Sequence, residues 1–234
     1  MESIYYPELD INSNLCRISG DEFKHIKALR LRFGEKIIIT NGSGIMATAE
    51  LHSIDKNTAN FINIIKIDSS NENTYKSALA LGILDNKDRM EFALEKATEL
   101  GINQFYPLNS RFVQKSKFNQ DRMISKSISA MKQSKRSFLP SVSEPIDIKS
   151  LIHLFQSYDQ IILLDESGVT PVFPKKVNSV LMIVGPEGGF SYEEINEIKD
   201  AGNVIVWTLG KRRLRAETAS IAGLSVINYL LSQE

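Results

Sequence analysis

The spacing of hydrophobic and polar positions changes character once along the chain. Up to about residue 67, short apolar runs dominate, and those at 3–7, 14–18, 36–40, 45–53 and 59–67 read as strands. The window 21–30 has helical spacing instead, with Ser19 or Asp21 as its N-cap. Asn41, Gly42, Ser43 and Gly44 separate two strand-like runs and predict a hairpin turn. Five short strands and one helix suggest a small β-barrel. From Thr74 apolar runs alternate with helical windows, which is the signature of a mostly parallel sheet. Strands are predicted at Ala78–Leu84, Ile102–Leu108, Gln160–Asp165, Ser179–Val184 and Val204–Leu209. The intervening helices are Asp88–Leu100, Arg122–Arg136, 146–156, 191–201 and Thr218–Leu230. Met90, Ala93, Leu94, Ala97 and Leu100 form the apolar stripe of the first of these, leaving Glu91, Glu95 and Glu99 as a solvated face. The polar stretch Asp68–Asn73 reads as a linker, giving two domains, 1–70 and 74–234.

Composition changes this picture little. The 234 residues are 42% hydrophobic and 24% charged, ordinary values for a globular protein. The single cysteine, Cys16, excludes an internal disulfide framework. The N-terminus has no signal-peptide pattern and no apolar run is long enough to span a bilayer, so a cytoplasmic protein is expected. Net charge is zero, yet charge is unevenly spread. Arg111–Pro140 carries eight Lys and Arg against Asp121 alone, and 24–36 carries Lys24, Lys27, Arg30, Arg32 and Lys36 against Glu35. Such segments are either solvated faces or phosphate-binding faces.

The chemistry concentrates near the C-terminus. VGPEGGFSYEE, Val184–Glu194, follows a buried strand and precedes a helix. Its glycines permit close backbone approach to a ligand, and Ser191 with Glu194 is a capping box. Glu187 either faces a ligand or caps a neighbouring amide. The second strand-to-helix loop carries Lys211, Arg212, Arg213 and Arg215, then Glu217 and Thr218, which either act chemically or start the helix. The two loops are expected to face each other across one crevice, with Asp165 or Glu166 at a neighbouring strand end. Neither a P-loop nor a dinucleotide fingerprint is present.

GPEGGFS with a downstream LG, LRAETA and a final apolar helix resembles the SPOUT superfamily of S-adenosylmethionine-dependent RNA methyltransferases. Within it the chain is similar to the small-subunit (16S) ribosomal RNA uracil-N3 methyltransferases. KDRMEFALEKATELGI, SRFVQK, QSKRSFLP and HIKALRLRFGEKI extend the match over essentially the whole length. The resemblance implies an α/β fold: a C-terminal SPOUT trefoil-knot domain behind an N-terminal PUA-like RNA-binding β-barrel. It also implies a homodimer acting on the small ribosomal subunit, with no metal and no membrane association.

By the same resemblance, S-adenosylmethionine is the cofactor. Its contacts would be Leu163, Gly185, Pro186, Glu187, Gly188, Gly189, Leu209, Gly210 and Leu214. RNA would meet His25, Lys27, Arg30, Arg32, Arg111, Gln133 and Arg136. The imide N3–H of uracil reacts well only once deprotonated, and its charge then spreads to the flanking carbonyl oxygens, where a cation stabilises it. Arg215 or Arg111 would supply that cation, and Glu217 or Glu187 would accept the proton. Two departures stand out: the family's arginine before the first strand is missing near Ser3 and Ile4, and Lys132 and Lys135 occupy an acid and a glycine position of the EQSGR motif. The alternatives are a non-catalytic RNA-binding assembly factor and a SPOUT enzyme methylating ribose 2′-O.

Overall fold

The computed structural model describes residues 1–68, 71–113, 118–173 and 176–232. Ser69 and Ser70 of the expected linker, and Gln114 and Lys115 of SRFVQK, lie outside the described residues. The chain forms two compact units: Met1–Glu72 with Ile128–Leu139, and Asn73–Ser127 with Pro140–Glu234. The excursion of 128–139 into the first unit has no counterpart in a linear division at 70–74.

In the first unit, β1 (Ser3–Tyr5), β2 (Cys16–Ile18), α1 (Gly20–Leu29), β3 (Lys36–Thr40), β4 (Met46–Ile54) and β5 (Ala59–Ile67) follow the predicted order. The sheet runs β1-β3-β4-β5-β2, with β1 parallel to β3 and the other pairs antiparallel. It is a half-barrel, packed over Ile4, Ile18, Phe23, Ile26, Ile37, Leu51 and Phe61. Ser19 sits at the N-cap of α1, though its side chain makes no capping bond. Burial pushes the Cys16 thiol up to about 12, so it stays protonated and unreactive.

One carboxylate gathers much of what ties segment 128–139 to this unit. Glu72 accepts from Arg136 Nε (3.1 Å) and Nη2 (2.8 Å), from the Ser137 amide (2.7 Å) and hydroxyl (3.2 Å), and from the Phe138 amide (3.1 Å). Backbone bonds from Gly44 to Ser137 (3.0 Å) and from Leu139 to Gly42 (2.9 Å) reinforce the attachment. Arg136 is only 2% exposed. Its expected role as an RNA contact is therefore corrected: a guanidinium this deep needs a fixed counter-charge, and Glu72 supplies it.

The second unit contains β6 (Lys76–Gly82), α2 (Lys87–Glu99), β7 (Gln104–Asn109), α3 (Gln120–Ser134), β8 (Ser141–Val142), β9 (Ile146–Asp147), α4 (Ile148–His153), β10 (Gln160–Val169), β11 (Ser179–Val184), α5 (Tyr192–Asp200), β12 (Val204–Trp207) and α6 (Ala216–Leu231). α3 is shared, passing to the first unit at Ile128. The sheet order is β12-β10-β11-β6-β7-β8, with β9 also on β7, and every pairing is parallel. The single helix expected over 146–156 is instead β9, α4 and a 3₁₀ turn. Among the described residues no helix is long and apolar enough to cross a membrane.

One reading of charge is overturned in this unit. Glu91 is not on a solvated face: it is 6% exposed, bonded to Arg122 through both oxygens and 3.4 Å from Lys126. Several cations of the basic stretch meet carboxylates, while Lys135 is exposed. Arg122 and Lys126 serve Glu91, Lys132 lies 2.6 Å from Glu22 within the first unit, and Arg136 serves Glu72. Gln133 remains exposed.

Candidate active site

The carboxyl ends of parallel strands gather loops on one side of a sheet, and ligands bind where strand order reverses. Here the reversal lies between β6 and its neighbour β11, because β7 and β8 continue to one side and β10 and β12 to the other. The loops leaving β6 and β11 meet closely. A Cβ on Gly82, the last residue of β6, would lie 2.3 Å from Pro186 Cδ and 2.4 Å from its nitrogen. Only glycine fits there.

After β11 the chain makes a turn closed by the Gly189 amide on the Pro186 carbonyl at 2.9 Å. Gly189 has φ +72°, a conformation that side chains other than glycine seldom adopt. The following α5 begins on the predicted capping box: Ser191 Oγ accepts from the Glu194 amide at 3.2 Å, and the Glu194 carboxylate accepts from the Ser191 amide at 2.8 Å. The loop between β12 and α6 contains Gly210 at φ +112°. Arg213 Nη2 donates to the Glu187 carbonyl at 3.3 Å, so the two loops do face each other.

A residue that the sequence patterns did not single out organises this crevice. Arg89, in the first turn of α2, forks onto Glu217 through Nε (2.9 Å) and Nη2 (2.5 Å) and reaches Glu187 through Nη1 (2.8 Å). One guanidinium thus joins the starts of α2 and α6 to the Gly-rich loop. All three side chains are largely enclosed, with exposures of 24% for Arg89, 31% for Glu187 and 11% for Glu217. Burial pushes the Glu217 carboxyl up, but bonds and charge from Arg89, its own backbone amide and Arg215 outweigh this and leave it below the usual carboxylate range. Glu217 is ionised and committed to Arg89, which makes it an anchor rather than a mobile proton acceptor. A signal for Arg89 did exist, since a cation in the first turn opposes the helix dipole and needs an outside partner. Asn86 caps that turn, accepting from the amides of Asp88 (2.8 Å) and Arg89 (3.4 Å). Asn86→Ala is expected to cost about 1 kcal/mol in a urea unfolding titration, and an unchanged midpoint would contradict the capping role.

Asp85, Arg111, Phe112, Val113, Glu187 and Gly188 line an adjoining cleft of about 490 Å³. Arg111 donates its amide to Glu194 at 2.8 Å and Nη1 to Glu193 at 3.1 Å. The side chains of this second pair are 63% and 73% exposed, so solvent screens it and the guanidinium is free to move to a substrate. Of the expected cofactor contacts, Pro186 is buried, and Leu209 and Leu214 are half-buried beside the cationic loop. Leu163 is corrected: it is fully enclosed in the sheet core and its side chain presents no surface to a ligand. Arg215 is exposed at the N-cap of α6. Asp165 accepts from the Ser167 amide at 2.9 Å and serves local turn structure.

Comparison with known proteins assigns this architecture. The family model described as an RNA methyltransferase domain matches residues 71–228, and one described as an RNA methyltransferase PUA domain matches 18–62. Ribosomal RNA small subunit methyltransferase E of Bacillus subtilis is 30% identical over 91% of this chain and 89% of its own length. That of Mesomycoplasma hyopneumoniae is 32% identical over 89% and 91%. The chain belongs to the ribosomal RNA small subunit methyltransferase E family. The crystal structure of the Neisseria gonorrhoeae methyltransferase E bound to S-adenosyl methionine superimposes with a TM-score of 0.90 at 28% identity, covering 98% of both chains. A putative methyltransferase from Legionella pneumophila in complex with the same cofactor gives a TM-score of 0.85 at 28% identity, covering 97% and 96%. The α/β class, the parallel-sheet core and the PUA-like N-terminal unit of the methyltransferase E family are thus those expected from the resemblance.

Proposed function

We propose that this protein is an S-adenosylmethionine-dependent methyltransferase that methylates N3 of a specific uridine in 16S ribosomal RNA. It acts on the small subunit as a cytoplasmic homodimer. The observation that carries this reading is one cleft, at the reversal point of a parallel sheet, that joins Arg111 and Glu187 to the Gly-rich loop.

The loops suit the cofactor. A Cβ on Gly189 or Gly210 would meet nothing within 4 Å, so the backbone at both positions is open to a bound molecule. Gly185–Gly189 and Leu209–Leu214 would hold it through amides and carbonyls, with Leu209 and Leu214 as apolar contacts. When bound, S-adenosylmethionine supplies an electrophilic methyl group. Arg111, beside Glu187 in the cleft, stabilises the negative charge on the uracil carbonyl oxygens as N3 loses its proton. Arg215 is the second candidate for that role. Among the described residues only Oε1 of Glu187 is engaged, with Arg89, which leaves Oε2 to take the N3 proton. That makes Glu187 the better acceptor than Glu217, whose two oxygens are both bonded to Arg89.

The test is incubation of the protein and labelled S-adenosylmethionine with small subunits from a strain lacking the gene, followed by nucleoside mass spectrometry. Label in 3-methyluridine is expected. Label on a ribose would sink the N3 assignment, and binding without transfer would favour an assembly factor.

A further inference from the structure

We infer that Phe33 is a base-stacking residue of the PUA-like unit, holding an aromatic face out for an unpaired RNA base whose flanking phosphates meet Arg30 and Arg32. This rests on the reading above that RNA is the substrate.

Phe33 is 72% exposed, far more than the packed phenylalanines Phe23 and Phe61 of the same unit at 6% and 0%. Its position is built rather than loose. The Glu35 amide donates to the Arg32 carbonyl at 3.0 Å, closing a turn in which Phe33 is second and Gly34 third. Gly34 has φ +82°, as a type II turn requires at that place. The turn is then fastened to its surroundings: the Gly34 amide donates to the Leu51 carbonyl at 2.8 Å, the Leu51 amide to the Glu35 carbonyl at 3.0 Å, and the Arg32 amide to the Glu35 carboxylate at 3.0 Å. The phenyl ring therefore projects from the apex of a braced turn.

The neighbouring charges point to the occupant. Arg30 ends α1 in a left-handed conformation, φ +53°, and is exposed, as is Arg32. Among the described residues neither guanidinium is in an ion pair, whereas Lys24 is paired with Asp21 at 2.7 Å and Lys36 with Glu50 at 3.4 Å. The only acid inside the turn, Glu35, is turned back onto the Arg32 amide. An exposed aromatic ring that directly follows two exposed arginines, neither ion-paired among the described residues, suits single-stranded nucleic acid, because every base has a π-face and each is flanked by phosphates.

Anisotropy titrations of a labelled single-stranded RNA of about 12 nucleotides, over a range of salt, separate ring from charge. F33A is expected to bind roughly 5- to 150-fold more weakly, the span one stacked base contributes, while F33W binds at least as well as the unchanged protein. The salt slope should be unaltered in F33A, since the ring neutralises no phosphate, and reduced by about 0.7 in R32Q. Equal affinity of F33A and the unchanged protein would overturn the inference. So would a change in oligomeric state of F33A by light scattering with RNA affinity intact, which would mean that a second copy covers the ring. The broader reading fails separately, if the unchanged protein neither binds RNA nor methylates subunits.

Discussion

Arg89→Met is expected to destabilise the protein by about 2–3 kcal/mol and to lower methyl transfer at least ten-fold. The substitution keeps an unbranched apolar stem but leaves Glu187 and Glu217, both partly enclosed, without the cation they share. Stranding a buried carboxylate costs more than its ion pair contributes, and the remaining exposure of the three side chains reduces the figure. The pH dependence gives a sharper signature. In the unchanged protein Glu217 titrates below its ordinary value of 4.5, so the stability it contributes is present above that pH and is lost as pH falls through the lower, folded value. Without Arg89, burial is the largest influence left on that carboxyl, and its pKa moves up. The folded state then binds protons before the unfolded state does, and stability from this group rises as the solution is acidified towards 4.5. Urea midpoints at pH 7, 6 and 5 measure the sign. An acid limb identical to that of the unchanged protein would show that Arg89 does not control these carboxylates.

Gly82→Ala is expected to weaken cofactor binding at least ten-fold with little loss of secondary structure. The added carbon would fall 2.3 Å from Pro186 Cδ and 2.4 Å from its backbone nitrogen. A proline ring in a closed turn cannot rotate away, so the β6 terminus and the Gly-rich loop must separate, at a cost of about 1–3 kcal/mol. Displacing loop backbone by even part of that overlap removes the amide alignment on which a bound ligand depends. Calorimetric titration with S-adenosylmethionine should show at least a ten-fold weaker affinity. Normal affinity would mean that the two loops are not jointly responsible for the site.

The pattern of the chain made the elements legible because each half keeps to one rhythm. The strands at 36–40 and 59–67 coincide with β3 and β5, and the capping box at Ser191 and Glu194 forms as read, since a cap depends only on residues three apart. Where a local pattern is short, reading failed: β8 and β9 have two residues each, too few to show alternation, and 146–156 therefore looked like one helix. Polar partnerships across long separations were the other blind spot. Glu91 has the spacing of an exposed face and is buried because Arg122, 31 residues on, comes to meet it. Arg136 looked like a free cation because Glu72 is 64 residues away. Both loops of the candidate site could be placed from glycine and strand signals, whereas the first-turn position of Arg89 called only for some outside partner, and its carboxylates lie 98 and 128 residues away.

The Glu72 attachment also has a consequence for the order of events during synthesis. The first unit takes its closing segment from 128–139, so it cannot be completed when residue 72 leaves the ribosome. By the time Ser137 and Phe138 emerge to meet Glu72, the sequences of β6, α2 and β7 are already outside and free to fold. The N-terminal half-barrel must wait with Glu72 uncompensated, while the usual vectorial sequence would finish it first. A nascent chain halted shortly after residue 72 would therefore carry an unfinished unit, open to proteases, and would gain protection only once residue 139 has cleared the exit tunnel.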